Sequence, residues 1–145
     1  MQTFVPYPHM SASAAVLDRQ RLGKQRVETL QIMRTLAGIS GGWGNHPAVK
    51  MWSGYEAHLM WYQIAICEEW VRRGYRDTCL GKTMAIWSEH LADTSDSGIS
   101  GPVPPWWGSA ELHASHRSNL LRKEPSYYRE FWPLEADDLP YVWPV

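Results

Sequence analysis

At 145 residues, 44% of them hydrophobic, the chain has enough apolar material for one compact domain with a real core and too little for two. Its 14 Lys plus Arg against 15 Asp plus Glu leave a formal charge of -1, so any case for a nucleic-acid or membrane partner has to rest on local clustering. Cys67 and Cys79 are too few for a disulfide framework, and no leader or membrane-length apolar run opens the chain, so a soluble, cytoplasmic protein is expected, nucleoid-associated if bacterial.

The opening MQTFVPYPHM, with two prolines and its aromatics in extended register, predicts a non-helical arm over the body. Ser11 or Ser13 then caps a helix to about Leu36 or Ala37, and Gly38, Gly41, Gly42 and Gly44 make the loop that follows. Asn45-His46-Pro47 reads as a cap with proline in the first turn, opening a helical region to about Arg73 with a break at Gly54. Within it LMWYQIAICEEWV is apolar on nearly every side, as befits the central strut, and Gly74 ends it behind Arg72 and Arg73.

Lys82 to Leu91 predicts a shorter helix, and DTSDSGISGPVPPWWG a loop of turn-formers that could act as a flap. Ser109 caps a helix through about Lys123, and Pro125 starts a last short turn before a proline-punctuated tail. There is no strand-period alternation and no internal repeat, so the fold class is all-α: a compact, single-domain helical bundle with an extended N-terminal arm and long loops.

The segment RQRLGKQRVE, Arg19 to Glu28, packs four cations, two amides, a glycine and one acid into ten residues. On a helix it is polar in almost every direction, whereas Leu30, Ile32, Met33 and Leu36 beyond it are core residues. Gly23 is costly in mid-helix and implies another backbone or a ligand in close approach. Arg21, Lys24 and Glu28 share one stripe, and the plain account of the last two is a surface i,i+4 ion pair worth a few tenths of a kcal/mol. Glu28, however, stands where the polar half meets the buried one, the setting in which desolvation and a nearby cation compete over a carboxylate's pKa.

A second constellation runs from His113 to Lys123. His113 and His116 could ligate a metal if a third ligand such as Glu111 or His46 converged, although no metal or cofactor is expected. A phosphate-binding face of His116, Arg117, Arg122 and Lys123 fits more easily, and a solvated basic face fits equally well.

Three blocks, LDRQRLGKQRVE (Leu17 to Glu28), NHPAVKMW through EEWVRRGY (Asn45 to Tyr75) and SNLLRKEPSYYREFW (Ser118 to Trp132), give the chain a likeness over more than half its length. In them it resembles the pyrimidine-dimer DNA glycosylases of the endonuclease V type. That resemblance implies a helical body with the arm lying between helices, a DNA repair function on duplex DNA, and attack by a free N-terminal amine on the sugar C1′ of a damaged or modified pyrimidine nucleotide. The glutamate matching Glu28 would then assist ring opening and β-elimination, completing glycosylase (hydrolase) and AP lyase chemistry.

An α-amine suits such a role because it titrates near neutrality. The family pattern exposes a threonine amine once the initiator Met is lost; here Gln2 follows Met1 and should block trimming, leaving Thr3 internal. The amine is then that of Met1 or another such as Lys24, or the lyase step is absent. Arg19, Gln20, Arg21, Arg26, His46, His116, Arg117, Arg122 and Lys123 are candidates for the DNA track, with Trp106 or Trp107 available to stack on or replace a displaced base. Two other readings stay open: a pocket of Arg19, Arg21, Lys24, Glu28 and His116 binding or processing a small anionic metabolite without DNA, and a Trp/Tyr-rich protein-interaction module.

Overall fold

Asp18 divides into two the helix expected between Ser11 and Ala37. In the structure, a computed structural model describing residues 1–93 and 98–145, α1 spans Met10–Val16 and α2 spans Arg19–Leu36. Asp18 itself is extended (φ -64°, ψ 158°), and its carboxylate accepts the Arg21 N–H to cap α2. His9, rather than Ser11 or Ser13, caps α1, its ring nitrogen accepting from Ala12 N–H at 3.0 Å. The buried Ser13 hydroxyl instead accepts from Tyr7 N–H and donates to Tyr7 O, folding the arm back onto α1.

His46 caps α3 (Pro47–Lys50), its Nδ1 accepting from Ala48 N–H at 3.0 Å. The expected break falls at Gly54, whose φ of 88° lies in the left-handed region that only glycine enters freely, and α4 (Glu56–Arg72) begins beyond it. Gly74, at φ 98°, ends that strut in the same way. α5 (Cys79–Ile86) starts three residues before Lys82, because the Asp77 carboxylate accepts from both Cys79 N–H (3.1 Å) and Leu80 N–H (2.9 Å). It runs on into a π-helical turn, Trp87–Leu91. Ser109 caps α6 (Ala110–Lys123), and Pro125 opens α7 (Pro125–Tyr128). Among the described residues there is no strand, and none of their helices is long and apolar enough to cross a membrane.

The strut α4 packs on α1, α2 and α5. Leu22, Ile32, Met33, Leu59, Met60 and Ile66 are all fully buried between these helices, each contributing about 1.5–3 kcal/mol by leaving water. At Gly23 the Trp70 ring of α4 lies against α2 where a side chain would start, with ring carbons 3.0 and 3.1 Å from an added Cβ. The close neighbour implied by this glycine is therefore a tryptophan edge, not a backbone or a ligand.

The arm does lie between helices, with residues 2–6 all buried. Tyr62 of α4 donates to Phe4 O at 2.8 Å, Trp52 Nε1–H donates to Thr3 Oγ1 at 3.0 Å, and Arg117 of α6 donates to Pro6 O at 2.7 Å. The supposed flap is held down where it is described. Trp106 is 6% exposed and donates its indole N–H to Met51 O at 3.0 Å, and Trp107 packs its ring 4.6 Å from that of His58. Thr94 to Ser97, near the start of that expected flap, lie outside the described residues.

Candidate active site

Helical spacing puts Arg21, Lys24, Gln25 and Glu28 on one face of α2, and the arm runs along that face. Gln25, 1% exposed, reads the arm like a facing strand. Its Nε2 donates to Gln2 O at 2.5 Å, while its Oε1 accepts from Phe4 N–H at 2.5 Å and from the Tyr62 hydroxyl at 2.8 Å. The same Nε2 donates to Glu28 Oε2 at 3.2 Å. That carboxylate oxygen also accepts from the backbone N–H of Gln2 at 3.1 Å. The surface pair with Lys24 that the spacing allows does not form: half-buried Glu28 turns inward to the head of the arm.

Around this contact opens a cavity of about 240 Å³ lined by Met1, Gln2, Phe4, Gln20, Arg21, Lys24, Gln25, Glu28, Lys123 and Tyr141. It is small for a whole drug-sized ligand, for which sites of about 300–1,000 Å³ are usual, and adequate for one sugar or base. Burial raises the Tyr141 hydroxyl pKa to about 12, so it faces the cavity as a neutral donor. His46 comes close enough to feel both the Met1 amine and Glu28; burial is the main reason its pKa is lowered, the amine lowers it further and Glu28 opposes. Because its Nδ1 accepts the α3 cap bond, the neutral ring carries its proton on Nε2.

The second constellation has a different task from the one expected of it. His113 and His116 clamp the Val5 peptide from both sides: Val5 N–H donates to His116 Nδ1 at 2.9 Å, and His113 Nδ1–H donates to Val5 O at 2.6 Å. His116 is 0% exposed, and burial holds its pKa down to about 3, with His113 adding a smaller push. With those nitrogens engaged, neither ring is placed for phosphate or for the metal whose third ligand was to be Glu111 or His46. Among the described residues no three potential ligands gather.

The cations separate by partner. Arg26 leaves the cleft face altogether, pairing with Asp77 at 2.7 Å and lying 4.3 Å over the Trp70 ring. Arg117 holds Pro6 O and Glu135, and Arg122 is spent on Asp137 O, Leu139 O and the Asn119 amide, pinning the C-terminal tail. Thr3 is fully buried in the arm and cannot offer an amine to the cleft. Arg21 bridges Asp18 and Glu124 at 3.2 Å each while lining the cleft, Gln20, Lys24 and Lys123 stand exposed on its walls, and Arg19 is exposed beside them. The cleft residues that sequence reasoning missed are Gln2, Phe4, Gln25 and Tyr141. Gln25 had a legible signal, its place three residues before Glu28; Tyr141, from the tail, had none.

A family model described as pyrimidine dimer DNA glycosylase matches residues 1–83, more than half of the chain. The chain belongs to the pyrimidine dimer DNA glycosylase family. No curated protein and no solved structure matches it. A protein of this family is a DNA glycosylase-type enzyme with DNA as its substrate. The matched segment contains the arm, α2 and Glu28, whereas His113, His116, Lys123 and Tyr141 come from the part beyond it.

Proposed function

We propose that the protein is an amine-dependent DNA glycosylase and AP lyase acting on a damaged or modified pyrimidine nucleotide, with an α-amine at the head of the arm as nucleophile and Glu28 as the acid/base. The observation that carries this is the Gln2 peptide N–H, which donates to Glu28 Oε2 at 3.1 Å and so holds the head of the arm against that carboxylate in the cleft. General acid–base transfer needs donor and acceptor within about 2.6–3.2 Å, directly or through one water. The Met1 amine, one residue further out, lines the same cleft.

In this reading the amine forms a bond to C1′ and the glycosidic bond breaks, the base leaving with a proton. Opening of the sugar C1′–O4′ bond gives the imine, and Glu28 then takes a C2′ proton as the 3′ phosphate departs. Tyr141 and neutral His46 present further donors beside the site, and Arg21, Lys24 and Lys123 are the cations placed to meet the flanking phosphates. The DNA of the family favours this over a small anionic metabolite, and a steep salt dependence of binding separates the two.

Borohydride trapping on duplex DNA carrying an abasic site tests the proposal. The expected result is a covalent adduct whose peptide mass places the sugar on the Met1 amine, or on the Gln2 amine if Met1 is removed; an adduct on Lys24 overturns the α-amine as nucleophile. Glu28→Gln should slow strand cleavage by at least about 100-fold, the scale of general acid–base catalysis. Absence of any adduct, or cleavage by Glu28→Gln at the wild-type rate, refutes it.

A further inference from the structure

Trp43 sits on the glycine loop between α2 and α3 with 45% of its surface exposed, whereas Trp52 and Trp106 are buried at 0% and 6%. A lone exposed aromatic is ordinary. What sets Trp43 apart is the row of rings of which it is the outer end. Tyr141 lines the cleft, Trp143 lies 5.4 Å from it, His46 stands edge-on 6.0 Å from Trp143, and Trp43 stands edge-on 5.8 Å from His46. The row thus leads from the reacting groups out to a ring with room around it.

We propose that Trp43 is a stacking platform for a nucleobase unstacked next to the target nucleotide, a role that rests on the amine and Glu28 reading of the adjoining cleft. A cavity of about 240 Å³ cannot take both a target nucleotide and its displaced neighbour. A base driven out of the duplex needs another flat apolar face, and aromatic rings supply one without regard to sequence because every base has a π-face. His46 and Trp143 hold the inner edge of the platform at a fixed distance from the cleft. Trp106 and Trp107, the aromatics first expected to do this, are spent on Trp52, His58 and Met51.

The test uses a duplex with a stable tetrahydrofuran abasic analogue and 2-aminopurine at either neighbouring position. Binding of the wild type should quench the 2-aminopurine at one of them. Trp43→Ala should lose that quenching and bind about 5- to 150-fold more weakly, the range for one aromatic–base stack, whereas Trp43→Phe should keep most of both. Borohydride trapping of the wild type on duplex with a natural abasic site is run alongside. If the wild type itself fails to trap, the catalytic reading falls while the quenching still reports on Trp43. Unchanged affinity and quenching in Trp43→Ala overturns the platform, and so does a loss of affinity with the quenching intact, which would assign Trp43 to shaping the loop.

Discussion

Replacing Gln25 by alanine should disconnect the head of the arm from Glu28 while leaving the helices assembled. Four hydrogen bonds end on this amide, but the loss is not four times one bond. The Tyr62 hydroxyl keeps Phe4 O at 2.8 Å, and Glu28 keeps Gln2 N–H at 3.1 Å. The groups left without a partner are Phe4 N–H and Gln2 C=O, each costing about 1–3 kcal/mol when buried. With partial entry of water the sum is about 2–4 kcal/mol, below the roughly 5–15 kcal/mol that holds a domain together. The melting temperature should fall by on the order of 10 °C.

Activity should fall further than stability, because Glu28 loses the neighbour that sets its rotamer and the arm loses its register. The assay is single-turnover cleavage of abasic duplex at a temperature where wild type and variant are both fully folded, alongside thermal unfolding. Gln25→Met, of similar volume, separates the missing hydrogen bonds from the cavity: it should be nearly as impaired as Gln25→Ala. If either variant cleaves within about twofold of wild type while its melting temperature falls by that amount, the register of the arm does not depend on Gln25.

Two further outcomes follow from the same packing. His116 is neutral in the fold with its pKa held near 3, against about 6.5 unfolded, so its share of stability is complete above pH 6.5 and declines as pH falls towards 3, by up to about 5 kcal/mol. His116→Asn, whose amide oxygen can accept the Val5 N–H without titrating, should give a visibly shallower acid limb in urea unfolding; an unchanged limb refutes the assignment. Gly23→Ala gains about 1 kcal/mol of helix propensity but sets a Cβ 3.0 Å from a Trp70 ring that Arg26 and Tyr75 grip from 4.3 Å each. Overpacking, typically 1–3 kcal/mol, should win by about 1 kcal/mol in the same assay; a stabilised variant would show that the ring moves freely.

Several helix ends made by a local device were legible, although the cap of α1 by His9 was not. Ser109 and Pro125, the break at Gly54 and the stop at Gly74 all act through their own backbone or the next turn. The division at Asp18 was hidden because its cause is largely tertiary. The Asp18 carboxylate accepts from Tyr128, 110 residues away, at 2.5 Å, and Asp18 N–H donates to that same hydroxyl at 2.9 Å. The early start of α5 depends likewise on Asp77, which is tied to Arg26 across 51 residues. Glu28 could be picked out because the change from polar to apolar lies within its own helix. The donor that faces it could not, since nothing in MQTFV says which nitrogen of the arm meets α2.

The cations show why polarity in sequence misjudges a binding face. Arg26, Arg117 and Arg122 looked like a phosphate track, yet each is used within the fold, on Asp77, on Pro6 O with Glu135, and on the tail carbonyls. Arginine's fork of donors makes it the residue that best satisfies buried oxygens, so a run of arginines beside a buried arm is ambiguous by chemistry. Among the described residues Lys24 and Lys123 are left on the cleft walls without an ion pair, and Arg21 is shared between two acids. In a chain of net charge -1, so few cations supply little of the counterion-release energy that drives most DNA binding. The balance has to come from contacts that do not depend on charge, which is the work the aromatic row from Tyr141 to Trp43 is placed to do.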